Sequence, residues 1–180
     1  SSATKTDTPL RETPQAVTVI TADQILDQGA QNLQDALNYA AGVRSDAYGL
    51  DSRTDSVRIR GAYPDEYLDG LRQTFNWYTS TARMDPYTLE RIGVLRGPSA
   101  RLFGQGSTAG VINSVSKRPS ATAQGEIGIK AGSDDLKQIQ TDVTGPLTED
   151  GTWLYRVVAL ARDAQTQVDY GDDNRTLLTP

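Results

Sequence analysis

Residues 85–119 read DPYTLERIGVLRGPSARLFGQGSTAGVINSVSKRP, and the order of local structure they encode decides how the rest of the chain folds. Asp85-Pro86 is an N-cap followed by proline in the first turn, where the missing N–H is harmless and the fixed φ suits a helix. Leu89, Ile92, Val94 and Leu95 supply apolar, branched strand character that ends at Gly97-Pro98, since proline cannot donate to a ladder. A helical turn fits over Ser99 to Phe103. Gly104, Gly106 and Gly110 then punctuate a loop before Val111-Ile112-Asn113-Ser114-Val115 resumes a strand. The predicted order is helix, strand, short helix, glycine loop, strand.

That order governs the reading of the glycines. Residues 104–109, GQGSTA, match the dinucleotide fingerprint G-x-G-x-x-[G/A], and Glu126 lies about 20 residues on, where a ribose-binding acid would sit. The fingerprint requires a strand before it and a helix after it, so that pyrophosphate meets a helix N-terminus. Here a helical turn precedes and a strand follows, and no Gly-Lys-Ser/Thr is present. A structural glycine turn passing close to another backbone is the preferred reading, with a soluble dinucleotide-binding enzyme as the enzyme alternative.

The remaining chain narrows the function classes. With 180 residues, no cysteine and no histidine, the chain excludes disulfides, Cys/His metal ligation and His-based triads. A formal charge of −5 and a pI near 4.7 argue against nucleic acid as a partner. No apolar run approaches the ~20 residues of a spanning helix. Ser1 is not an initiator methionine and no signal segment follows, which reads as a mature or trimmed piece. Residues 1–11 form a polar leader. Ala16 to Ile20 is a short strand, Thr21-x-x-Gln24 is a capping box, and Gly29 suits a left-handed helix end. Asn32 caps a second helix with Leu33, Ala36, Leu37 and Ala40 on one face, ending at Gly42. Ser56 to Gly61, SVRIRG, reads as a strand with Val57 and Ile59 inward and Arg58 and Arg60 outward. Tyr67 to Leu71, YLDGL, is a strand turned by Asp-Gly.

Glu90-Arg91-Ile92, Val94-Leu95-Arg96-Gly97-Pro98, Phe103-Gly104, Gly110-Val111-Ile112-Asn113 and Lys117-Arg118-Pro119, together with VRIRG and YLDGL upstream, resemble the plug-domain signature of TonB-dependent outer-membrane receptors, especially those for ferric siderophores. Two departures stand out: Gly93 occupies a position where the family commonly has Glu, and Ala109-Gly110 replaces a usual Gly-Gly. The resemblance implies an α+β plug with a small mixed β-sheet over residues 12–119. From residue 120 to 180 it implies the first antiparallel strands of a transmembrane β-barrel, incomplete. Ile127/Ile129, Ile139/Thr141/Val143 and Trp153/Tyr155/Val157/Ala159/Ala161 alternate with polar residues over strands of about ten residues, which suits a barrel; a soluble antiparallel sheet shows the same alternation.

Chemistry-bearing clusters are few. Asp134-Asp135, Glu149-Asp150 and Asp172-Asp173 read as solvated turns, and Asp169 to Asn174 lacks the full spacing of a calcium loop. No catalytic residue is assigned. Residues 72–84, RQTFNWYTSTARM, gather Phe75, Trp77 and Tyr78 without core periodicity, as a satellite core or an exposed platform. The resemblance places this segment at the plug apex, with Trp77-Tyr78 matching an aromatic pair of hydroxamate-siderophore receptors. It places Tyr48 and Arg53 in one neighbouring apical loop and Tyr63 in the other. It also implies that Arg60, Glu90, Arg91 and Arg96 pair with the barrel wall. The implied function is uptake of a ferric siderophore across a Gram-negative outer membrane. The plug gates the pore, TonB of the TonB-ExbB-ExbD system pulls on a segment upstream of Ser1, and the barrel meets lipid. No cofactor is implied, because iron travels inside the chelate. A receptor for cobalamin or a glycan, and a plug-like signalling module, are the alternatives.

Overall fold

Thr21 closes strand β1 (Ala16–Thr21) and opens helix α1 (Ala22–Asp27) with both bonds of the capping box: Gln24 N donates to Thr21 Oγ1 at 3.3 Å, and Thr21 N to Gln24 Oε1 at 3.1 Å. The structure, a computed structural model, describes residues 15–49, 51, 53–73, 83–97, 103–104 and 106–180, and the chain divides into two compact units, Ser1–Ser116 and Lys117–Pro180. Asn32 caps helix α2 (Leu33–Leu37), its Oδ1 accepting from Asp35 N at 2.8 Å.

Strands β2 (Val43–Arg44) and β3 (Arg58–Ile59) form a small antiparallel pair. The others of this unit are β4 (Asp65–Leu68), β5 (Leu71–Gln73), β6 (Leu89–Arg96) and β7 (Gly110–Ser116). With β1 they make a five-stranded mixed sheet in the order β1-β6-β7-β4-β5, in which only the β4–β7 pair is parallel. A 3-10 turn over Pro86–Thr88, capped by Asp85, precedes β6, and the glycine loop leads into β7, as expected from the sequence. The expected helical turn over 99–103 lies, apart from Phe103, outside the described residues.

Alternation in β6 and β7 builds two cores. Ile92, Val94 and Ile112 pack with Ile20, Ile25, Leu33, Ala36 and Leu37, so the helices cover one face of the sheet. Leu95 and Val111 turn to the other face with Tyr67, Val17 and Phe103. Gly93 is buried in the centre of the sheet, paired with Val19 on one side and Asn113 on the other.

One expected strand is corrected. Ser56 to Gly61 does not run extended: only Arg58–Ile59 pairs, and Arg60 (φ +50°) and Gly61 (φ +86°) form a tight turn. Ile59 N donates to Ala62 O at 2.9 Å and Ala62 N returns the bond at 3.0 Å. Two successive positive φ values are the signature of the primed turn that reverses a twisted strand. Asp69 and Gly70 make the same kind of turn between β4 and β5, as Asp-Gly predicted.

The second unit is an antiparallel sheet of β8 (Gln124–Ala131), β9 (Lys137–Pro146), β10 (Leu154–Asp163) and β11 (Arg175–Thr179), in the order β11-β10-β9-β8. Strands β8 and β9 expose apolar side chains and β9 encloses polar ones, with Val158 and Leu160 of β10 enclosed beside them. Ile127 and Ile129 are 78% and 81% exposed, whereas Gln140 and Asp142 keep only 6% and 5% of their surface. Asp142 is held by Lys117 Nζ at 2.7 Å and by Arg156 through Nε at 2.8 Å and Nη2 at 2.7 Å. Arg162, equally enclosed, donates to Gln138 Oε1 at 2.7 Å. No helix among the described residues is long and apolar enough to cross a membrane, which says nothing of strands.

Gly110 explains which half of the family's glycine pair this chain retains. It sits at φ +130°, and a Cβ there would collide with the carbonyl of Leu95 on the partner strand. At Gly97, also left-handed, a Cβ would meet open space. Gly110→Ala is expected to destabilise the first unit by about 2–3 kcal/mol, and Gly97→Ala by about 1–2 kcal/mol from backbone strain alone. Thermal unfolding of the two variants checks this, and equal losses would contradict the close β6–β7 approach.

Candidate functional site

The loop joining β2 to β3 is anchored from below. Gln34 of α2 is fully buried and bridges the loop's two ends, its amide donating to Asp46 Oδ1 and its carbonyl accepting from Ser56 N. Asp46 turns the chain with φ +52°, and burial, then the charge of Asp35, raises its carboxyl above the usual range. Above this base the loop carries Tyr48, and the turn at Arg60-Gly61 delivers Tyr63.

Arg58 joins the two. Val57 and Ile59 are sunk in the core, so strand alternation points Arg58 outward. Its Nη2 donates to Tyr48 Oη at 2.7 Å and to Tyr63 Oη at 2.9 Å, and its Nη1 to Gly61 O at 3.2 Å. The guanidinium carbon lies 4.4 Å from the Tyr63 ring centroid and 5.4 Å from that of Tyr48. The two phenol oxygens are 2.6 Å apart, and the residues are 70% and 53% exposed. The hydrogen bond with Tyr63, reinforced by Arg58, holds the Tyr48 phenol below its ordinary value, and the same hydrogen bond, with desolvation, pushes the Tyr63 phenol up.

The glycine loop holds this cluster from the side. Ser107 N donates to Asp65 Oδ2 at 2.6 Å, and Ser107 Oγ donates to Tyr63 O. Arg72 from the β4–β5 hairpin closes on Asp65 Oδ1 at 2.6 Å. A Cβ at Gly106 would run into the Asp65 carboxylate, so the bare backbone there serves a protein contact, where the fingerprint would have put a nucleotide phosphate.

The expected site residues divide accordingly. Tyr48 and Tyr63 come together, whereas Arg53 folds back on Asp51, Nη2 to Oδ2 at 2.8 Å, and holds that carboxyl down at about 2. Phe75, Trp77 and Tyr78 lie outside the described residues. Among the four implied lock residues, Arg96 is engaged within its own unit: Nε donates to Ala41 O at 2.6 Å and Nη2 to Thr18 Oγ1. Glu90 and Arg91 pair with one another, brought to one side by a bulge between Leu89 and Arg91. Arg60 is exposed on its turn, and its side chain has no hydrogen bond or ion pair among the described residues. Among the acids noted in turns, Asp173 faces Arg162 at 3.3 Å and Asn174 accepts from Ala164 N, so both serve the sheet end.

Two residues escaped sequence reading. Arg58 was visible only as the outward side of a strand, since its partners are 10 and 5 residues away in loops. Gln34 had a signal: an amide beside Leu33 and Leu37 on the apolar stripe of a short helix.

A second perturbed group lies on β4. Glu66 lines a small cavity with Leu33, Asp55, Met84 and Ser114, and burial, then the neighbouring Asp55 charge, pushes its carboxyl up to about 7. The folded chain then binds a proton that the unfolded chain, with a value of about 4.3, has released, so stability falls as pH rises from there to about 7 and stays low above. Glu66→Gln is expected to raise the unfolding temperature of this unit at about pH 8 and to leave it nearly unchanged at about pH 4. Thermal scans at both values check the sign.

Comparison with known proteins identifies the family. The family described as TonB-dependent receptor plug domain matches residues 9–111. The chain is 36% identical to the ferrichrome outer membrane transporter/phage receptor of Escherichia coli K12 over 185 aligned residues, covering 100% of this chain and 25% of that protein. It is likewise 36% identical to the ferrioxamine receptor of Yersinia enterocolitica, over 99% of this chain and 26% of the relative. Among solved structures, the pyoverdine outer membrane receptor of Pseudomonas aeruginosa PAO1 bound to pyoverdine superimposes with a TM-score of 0.85 at 32% identity, covering 93% of this chain and 25% of that one. The chain thus spans about a quarter of the length of the relatives it matches.

Proposed function

Because the chain belongs to the TonB-dependent receptor plug domain family, we propose that it supplies the plug and the first barrel strands of an outer-membrane receptor that takes up a ferric siderophore in a Gram-negative bacterium. The family is one of transport receptors, and no side chain here is given a catalytic role. A hydroxamate chelate is the favoured ligand, in keeping with the ferrichrome and ferrioxamine relatives.

The observation that carries this reading is the Tyr48–Arg58–Tyr63 cluster. Two exposed rings and a guanidinium with fixed orientation offer apolar area, hydroxyls and positive charge on one surface. That combination suits a ferric chelate, whose rim is oxygen-rich and whose backbone is partly apolar. Phe75, Trp77 and Tyr78 are further ligand contacts in this proposal, and Arg53 contributes only if it leaves Asp51. Iron stays within the chelate, and the plug needs no cofactor of its own.

The remaining steps belong to the whole receptor. The plug gates the pore of the completed barrel, TonB of the TonB-ExbB-ExbD system draws on a segment upstream of Ser1, and the apolar face of β8–β11 meets outer-membrane lipid. Of the residues expected to lock plug to barrel, Arg60 is the one whose side chain has no ion pair or hydrogen bond among the described residues.

Arg58→Ala removes the group that orients both tyrosines without opening the core. In the full-length receptor it is expected to weaken ferric-hydroxamate binding by about 2 kcal/mol, or roughly thirtyfold, with the unfolding temperature unchanged. Fluorescence-quenching titration measures this. Unaltered affinity would remove the cluster from the binding site.

A further inference from the structure

We infer that Tyr48 and Tyr63 form a two-donor site for iron(III), completing the coordination sphere of a ferric chelate that supplies only four of the six donors. The inference rests on the siderophore reading above and adds a ligand class to it. Its basis is the 2.6 Å separation of the two phenol oxygens, both on exposed rings. An octahedral ion with metal–oxygen bonds of about 2.0 Å places neighbouring oxygens about 2.8 Å apart, so the pair needs to open by only a few tenths of an ångström. Phenolate oxygen is an anionic donor that ferric iron accepts.

Charge favours the same ligand class. A dianionic tetradentate chelator folded so that its two open positions are adjacent leaves iron(III) with one positive charge and two neighbouring waters. Replacing both waters by the two phenolates gives a net charge of −1, which Arg58, within 2.9 Å of both oxygens, neutralises. Each phenolate retains lone pairs for the guanidinium while binding the metal. The step balances as two waters displaced from iron and two phenol protons released to solvent, with iron remaining ferric throughout. Proton release makes the binding stronger as pH rises. A hexadentate chelate has no open position and engages the same tyrosines through hydrogen bonds alone.

The test uses the purified full-length receptor, with the ferric complex of a synthetic tetradentate dihydroxamate prepared one to one with iron. A hexadentate ferric trihydroxamate serves as the comparison. The dihydroxamate complex is expected to gain a phenolate-to-iron charge-transfer band with phenolate modes in resonance Raman, and to release two protons per iron bound. The trihydroxamate complex is expected to bind with neither change. Tyr48→Phe and Tyr63→Phe should each lose tenfold or more in affinity for the dihydroxamate complex, and the double variant should lose the band entirely. Binding of both complexes without a charge-transfer band, or a band that survives in the double variant, overturns the two-tyrosine iron site and leaves the siderophore reading standing. Failure of both complexes to bind removes the siderophore reading and this inference with it.

Discussion

Water and hydrocarbon make opposite demands on an alternating strand, and β8–β11 meet those of hydrocarbon. Ile127, Ile129, Ile139 and Leu178 are bare, while Gln138, Gln140, Asp142, Thr144 and Arg162 are enclosed. Enclosing charge is tolerable only when each ion is paired and hydrogen-bonded, and Asp142 satisfies this through Lys117 and a two-pronged contact with Arg156. Arg156 also donates to Arg118 O at 2.8 Å, so the residues leading into the sheet are fixed by the same network. In water the isoleucine face would be an aggregation surface; against lipid it is the stable arrangement. Trp153 and Tyr155, at the start of β10, are the amphipathic residue types that prefer a membrane–water boundary.

The first unit solves a different problem, which is to present a polar, aromatic surface on loops without letting those loops wander. It does so with buried or half-buried polar groups that tie together separate parts of the chain. Gln34 ties residues 46 and 56 to α2, and Asp65 ties residues 72 and 107 to β4. Both groups would be costly to bury unpaired, so each restrains its partners as firmly as packing would. The glycine loop takes part in this bracing, and Gly106 allows its backbone to reach Asp65. Placing Tyr63 therefore depends on the same strand pair, β6 and β7, that forms the centre of the sheet.

Much of this was legible in the sequence because the signals were local. The capping box at Thr21, the Asp69-Gly70 turn, the proline-started turn at Pro86 and the alternation of β8–β10 each depend on residues within a few positions of one another. The turn at Arg60-Gly61 was missed because a β-alternating run, VRIR, outweighed a glycine preceded by a non-glycine residue at positive φ. Tyr48 and Tyr63 were singled out by resemblance, but Arg58 between them required tertiary contacts that no spacing encodes. The resemblance implied that Arg60, Glu90, Arg91 and Arg96 pair with the barrel wall; within the first unit Arg96 donates to Ala41 O and Glu90 pairs with Arg91, contacts that side-chain type alone does not encode.

The exposed apolar face of β8–β11 carries the barrel part of this reading, and it can be tested residue by residue. Single cysteines introduced at Ile129 and at Gln140 of the full-length receptor in bilayers, each carrying an environment-sensitive fluorophore, would be exposed in turn to brominated lipids and to a water-soluble quencher. The account predicts strong quenching by lipid at 129 and none at 140, although both lie in the same sheet only one strand apart. Quenching of position 129 by the aqueous reagent, with no effect of lipid, would contradict it and return β8–β11 to a water-soluble sheet.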